Sequence, residues 1–290
     1  MTIKEKGYTH WDGELVRKRI PWWPITRYGI RLTFQKKFFK FLLFLSLVPA
    51  LVFLVAVYLS ERLEDFEKML REGGSRLLQV NPSFFKLYLT NDFLLFMMVV
   101  VLVFAGAGLI ADDLKFNSLQ LYLSRPIKKR DYFFGKAAVI TFFMFLLTLI
   151  PGLILFFMKI LFSGSVKFFL SYPWLLFSII GYSVLVTVFF SFYALFISSM
   201  SKNRRYVIIL IFGMYFFSDI LYGIFYGIFR DDRFALLSIK ANLQQMGAYL
   251  FGVRPEFSIH WSYSMAYLVG LCVLAGLILN RKVKGVEIVK

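Results

Sequence analysis

Side chains able to carry chemistry are few in this chain, and their spacing excludes most catalytic arrangements. His10 and His260 are the only histidines among 290 residues, and Cys272 is the only cysteine. One cysteine builds neither a disulfide nor a thiolate metal site. No His-Glu-x-x-His, nucleophile elbow or calcium-loop pattern occurs. Gly135-Lys136 has the look of a phosphate loop, but the upstream glycine is missing and Ala137 stands where Ser or Thr is required. The chain is therefore not expected to bind ATP in that manner or to be an enzyme. Two features remain: Asp219, an ionisable group inside an apolar run, and the basic stretch DDLKFNSLQLYLSRPIKKRDYFFGK over residues 112–136.

The elements that must position these residues are membrane-type. Hydrophobic residues make up 59% of the chain and charged ones 18%, with mean hydropathy +0.69. Six apolar runs, Phe38–Leu59, Phe93–Ala111, Ala137–Met158, Pro173–Met200, Tyr206–Phe229 and Trp261–Leu279, each reach the ~17–25 residues that cross a bilayer. Lipid offers no backbone hydrogen bonds, so runs of this length are helices. The expected fold is an all-α polytopic membrane protein. It divides into a cytoplasmic N-terminal segment (1–40), a six-helix transmembrane domain (41–280) and a cytoplasmic tail (281–290). The first forty residues lack the short apolar core of a signal peptide.

A net charge of +17 would suggest nucleic acid in a soluble protein, but here its distribution reads as topology. With both termini in the cytoplasm, 23 Lys and Arg fall inside and 11 outside, as the positive-inside rule requires. The expected location is the cytoplasmic (inner) membrane, with the lipid bilayer and no nucleic acid as partner. Residues 17–37 mix basic side chains with Trp22, Trp23, Arg27 and Tyr28, which suits a helix lying in the cytoplasmic interface. Residues 61–78 and 235–251 read as outer amphipathic helices.

Within 112–136, the small-residue string Ala105-Gly106-Ala107-Gly108 leads to Asp112 and Asp113, placed to cap the next helix. Leu119 and Leu123 lie among polar residues. Ser124 and Pro126 make a turn, and Lys128 and Lys129 open the basic cluster before Tyr132. A small rigid lever between spans two and three fits this pattern. An ordinary basic loop that anchors topology fits it equally well.

The stretch GLIADDLKFNSLQLYLSRPIKKRDYFFGK resembles the signature of ABC-2 type transporter permeases. Asp113 matches the acidic residue that ends span two; Leu123, Ser124, Pro126 and Ile127 match the turn, and Lys136 the closing lysine. Asn117-Ser118 departs from the usual Gly-Thr-like pair. The resemblance implies a permease that pairs with a second, identical or similar permease chain and binds cytoplasmic ABC ATPase subunits, which hold ATP and Mg; no cofactor is expected in this chain. It implies a coupling helix between spans two and three, with Asp112, Asp113, Leu119, Leu123, Ser124, Pro126, Lys128 and Lys129 as the coupling residues. It also implies that the interfacial helix contacts the ATPase and that the subunit belongs to an exporter. A gradient-driven carrier, a membrane enzyme and a non-transporting scaffold or sensor are the alternatives. The carrier predicts several intramembrane charges, and only Asp219 is found. Asp219 itself reads either as a pathway or dimer contact or as a carboxylate bonded to Ser218 or Tyr222.

Overall fold

A computed structural model of the chain describes residues 20–62, 80–118, 128–163 and 167–282. It is all helical among those residues, and six of its helices are long and apolar enough to cross a membrane. The elements are α1 (Trp23–Phe34), α2 (Lys37–Arg62), α3 (Pro82–Thr90), α4 (Asp92–Gly106), α5 (Gly108–Lys115), α6 (Lys129–Leu147), α7 (Leu149–Ser163), α8 (Lys167–Ser171), α9 (Leu175–Met200), α10 (Arg204–Phe229), α11 (Ile239–Leu250) and α12 (Trp261–Lys282). Span one is α2, span two α3 to α5, span three α6 and α7, and spans four, five and six are α9, α10 and α12. The expected outer helix at 61–78 falls almost wholly outside the described residues. The expected one at 235–251 is a short 3-10 turn, Asp232–Leu237, followed by α11.

Span two is the core. Its apolar stretch is the most buried of the six, whereas those of spans one and five have few buried residues. It is also longer than the sequence suggests, covering Pro82–Lys115 rather than 93–111. Thirty-four residues in one straight helix would reach about 51 Å, well beyond the ~30 Å of hydrocarbon. The span is not one continuous helix: it is interrupted at Asn91, where the backbone turns extended, and at Ala107, where the dihedrals stay helical. At the first break the Asn91 side chain accepts from the Phe93 amide at 2.8 Å and so caps α4.

Span three breaks as well, and Pro151 explains where. Proline has no N–H to offer the carbonyl four residues back, which leaves the Leu147 oxygen free. The buried Tyr88 hydroxyl of α3 donates to that oxygen at 2.9 Å. A side chain in span two thus repairs a break in span three. Tyr88→Phe is expected to lower stability by about 1 kcal/mol. Pro151→Ala, which returns an N–H to Leu147, is expected to abolish that cost. Equal losses in both backgrounds, read by thermal unfolding in detergent, would show that the hydroxyl does not serve this carbonyl.

Candidate functional site

The elbow between spans two and three is built around one buried ion pair. Lys136 Nζ, from the second turn of α6, lies 2.7 Å from Asp113 Oδ2, near the end of α5. The Tyr132 hydroxyl, one turn before Lys136, donates to the same oxygen at 2.6 Å. Tyr132 is fully buried and the two charged residues nearly so. Taking two charges out of water is costly, and the cost is recovered only with close geometry and added hydrogen bonds. Here both conditions hold, so the two arms of the elbow are fixed to each other.

The short segment that the acidic pair was expected to cap lies mostly outside the described residues; Asp113 itself reaches across to span three. At the start of α6, Asp131 accepts from the Lys128 amide at 3.2 Å. Asn117 also gains an explanation. It adopts a left-handed conformation with φ 55°, which favours glycine and tolerates asparagine. Asn117 stands where the resemblance places a glycine, and its left-handed backbone is one that glycine adopts readily. Leu119, Leu123, Ser124 and Pro126 lie outside the described residues. Lys128 is exposed and Lys129 partly so.

Above the elbow, the second break in span two is capped from span four. The Ile110 and Ala111 amides in the first turn of α5 both donate to the Ser198 oxygen at 3.0 Å, and the Ser198 hydroxyl donates to the Ala107 carbonyl at 2.9 Å. One fully buried serine thus closes donors and an acceptor left over by the break. Gly106 lets span four approach, since a Cβ there would lie 3.0 Å from the Ala194 Cβ. The Phe104 carbonyl, at the end of α4, accepts from Lys36 Nζ at 3.1 Å and from Arg204 Nη2 at 3.4 Å. Cations at a helix C-terminus are favourable. Burial, then the neighbouring Arg204 guanidinium, lowers the Lys36 amine to about 8, and Asp112 opposes the shift. The Asp112 side chain lies over Gly108, where an added Cβ would meet its carboxylate and require it to shift.

Helix α1 packs onto the start of span three. Thr26 donates to the Gly135 carbonyl at 2.9 Å, and a Cβ on Gly135 would lie 3.0 Å from the Trp22 carbonyl and from Ile25. Gly135 therefore admits α1 while Lys136 holds Asp113, which gives the Gly-Lys pair a purpose unrelated to phosphate. Trp22 is partly buried, and Trp23, Arg27 and Tyr28 are exposed. The four expected interfacial residues thus divide between an inward and an outward face.

Asp219 lies away from the elbow, near the opposite face. Neither Ser218 nor Tyr222 holds it. Ser218 donates to the Tyr215 carbonyl and accepts from the Ile239 amide, while Asp219 accepts from the Ser238 hydroxyl at 2.9 Å. Lys240 Nζ stands 3.3 Å from Asp219 and 3.7 Å from Asp92 at the start of α4. Helix α11 therefore dips back to lock spans two and five together. A polar cleft of about 340 Å³ opens there, lined by Asp92, Asp219, Tyr222, Lys240, Gln244 and Glu256. A separate apolar cavity of about 290 Å³ lies between spans four, five and six, with Phe189, Tyr193, Met214, Phe217, Leu271 and Cys272 in its wall. Sequence reasoning missed Ser198, Lys36 and Lys240, and it read Arg204 only as part of the turn between spans four and five; the place of Lys36 just before an apolar run was the one hint among them. Among the described residues, no group of three His, Cys, Asp or Glu could hold a metal.

Breaking the buried pair on one side is expected to cost about 3–5 kcal/mol, because the remaining charge loses its partner. Asp113→Asn and Lys136→Met should each show this in thermal unfolding, while the double substitution should lose less than the sum of the two. Strict additivity would mean that the two charges do not sense each other. At the opposite face, Lys240→Met should speed amide exchange across 239–250 and leave 129–147 unchanged. Unaltered exchange in α11 would show that the bridge does not hold it.

No individual curated protein matches the chain in sequence. The family model described as ABC-2 family transporter protein matches residues 36–273, which takes in the first five spans, the elbow, α11 and the first half of span six. Members of that family are multi-pass membrane permeases that generally work with cytoplasmic ATPase subunits. With its six apolar helices and its elbow between the second and third, this chain belongs to the ABC-2 transporter family.

Proposed function

We propose that this chain is the permease subunit of an ATP-driven ABC-2 type exporter. It works as a dimer with an identical or similar chain and supplies no nucleotide site of its own. ATP and Mg belong to separate cytoplasmic ATPase subunits, which engage the elbow from below. The elbow face and both termini are cytoplasmic in this reading, and the membrane is the inner membrane.

The observation that carries the reading is the buried Asp113–Lys136–Tyr132 junction. A loop that served only to anchor topology would need charge and no internal bonding. This elbow instead joins the lowest segment of span two rigidly to span three, so a force applied to it reaches both spans together. The interruption at Ala107 is closed by Ser198 of span four, so the same force passes on to span four as well. Lys240 on α11 ties spans two and five at the far end and is the contact that an outward opening between them must release.

The test uses the full chain with its ATPase. Lys128→Glu with Lys129→Glu reverses exposed or partly exposed charge at the elbow without touching the buried pair. The expected result is loss of ATPase co-purification and at least a tenfold fall in ATP-dependent flux from reconstituted vesicles, with the chain's own melting temperature unchanged. Retained association and flux would remove the elbow as the coupling surface. Flux without any ATPase, driven by an ion gradient, would replace the proposal with a secondary carrier.

A further inference from the structure

The first helix and the start of span one carry more positive charge than anything around them neutralises among the described residues. Residues 20–60 contain Arg27, Arg31, Lys36, Lys37 and Lys40 and no carboxylate. Lys36 is turned inward onto the Phe104 carbonyl. The other four are exposed, and none of them forms an ion pair among the described residues. Only two residues separate α1 from α2, so Arg31 in the last turn of one helix and Lys37 and Lys40 at the start of the other flank a single connection.

The inward face of α1 is already occupied. Ile25, Thr26 and Thr33 are buried, and Gly29 lies against Val139 of span three. Its outward face presents Trp23, Tyr28 and Leu32, exposed by 52%, 64% and 45%, beside Arg27 and Arg31. Trp and Tyr beside Arg are the side chains that settle at the level of lipid headgroups. Directly beyond the cations, span one shows Phe38, Phe41 and Phe44, each about 60% exposed, followed by exposed Leu51, Val52 and Val55. Cations at one level and an aromatic and aliphatic stripe at the next reproduce the profile of a phospholipid, with phosphate above acyl chain. A protein partner would have to cover the apolar stripe as well as the charges, whereas a lipid meets both at once.

We propose that Arg27, Arg31, Lys37 and Lys40 form a docking surface for anionic phospholipid headgroups, with the acyl chains laid along the phenylalanines of span one. The lipid would fix α1 at the membrane surface and neutralise the cations that form no ion pair among the described residues. This inference is independent of the coupling role given to the elbow.

The full chain, purified in mild nonionic detergent, is titrated with phosphatidylglycerol or with phosphatidylcholine, and retained lipid is counted by native mass spectrometry. Wild type is expected to retain phosphatidylglycerol in preference. That preference should weaken as NaCl rises from about 0.05 to about 0.5 M, as the screening length shortens. Each cation converted to glutamine should reduce the preference about fivefold, so that R27Q/R31Q/K37Q/K40Q shows almost none. R27K/R31K/K37R/K40R, which keeps every charge, should retain it. Equal retention of the two lipids by wild type overturns the proposal, and this measurement needs no variant to fold. So does a glutamine variant that keeps both its circular dichroism and its lipid preference. Loss of ATPase binding in that variant with lipid preference intact would assign the patch to a protein partner and overturn the proposal too.

Discussion

The buried contact of Asp113 with Lys136 and Tyr132 is the constraint on which the rest of this structure turns. An unpaired charge in that position would be intolerable in a helical bundle with little water. The carboxylate must therefore find the amine, and the end of span two must lie against the beginning of span three. That requirement fixes the elbow. It also fixes the position of Gly135, one residue before the lysine, and so the seat of the N-terminal helix. One ion pair in this way sets the mutual placement of three helices.

The spans are not simple rods, and their breaks are repaired by neighbours rather than by water. Pro151 frees a carbonyl in span three and Tyr88 of span two takes it. Ala107 interrupts span two and Ser198 of span four closes the gap, while Lys36 and Arg204 converge on the carbonyl just above. In lipid an unmatched backbone group has no solvent to turn to. Each break is consequently also a tie between spans, and the places where the helices are weakest are the places where the bundle is most cross-linked.

The two faces of the bundle are held differently. On the elbow side, cations meet helix C-terminal carbonyls, with Lys282 reaching the Ser199 oxygen in the same way that Lys36 reaches Phe104. On the far side, the returning helix α11 holds spans two and five through Asp92, Lys240 and Asp219. Asp219 thus belongs to a bridge rather than standing alone in lipid, which accounts for a carboxylate within an otherwise apolar helix. The elbow-side ion pair is buried, whereas the far-side tie is made beside an open polar cleft, and a pair next to water is the easier of the two to exchange for it.

Six spans, their order and the sidedness of charge were legible in the residues themselves, because apolar length and Lys/Arg bias act locally and need no knowledge of neighbours. The elbow signature, with its acidic residue, its turn and its closing lysine, was legible as a pattern. Its physics was not, since nothing in a spacing of 23 residues says that Asp113 and Lys136 will meet. The true start of span two at Pro82 was hidden because polar Asn91 looks like an end and proves to be a cap inside a longer segment. Asp219 was found, but its partner Lys240 lies beyond a turn whose path only the packed helices define. What the sequence determined by itself was which stretches are long and apolar enough to enter lipid and how Lys and Arg divide among the connections between them. Tertiary structure alone decided which charges pair and which side chains repair the breaks, because those are contacts between residues distant along the chain, and only close packing brings them within bonding reach.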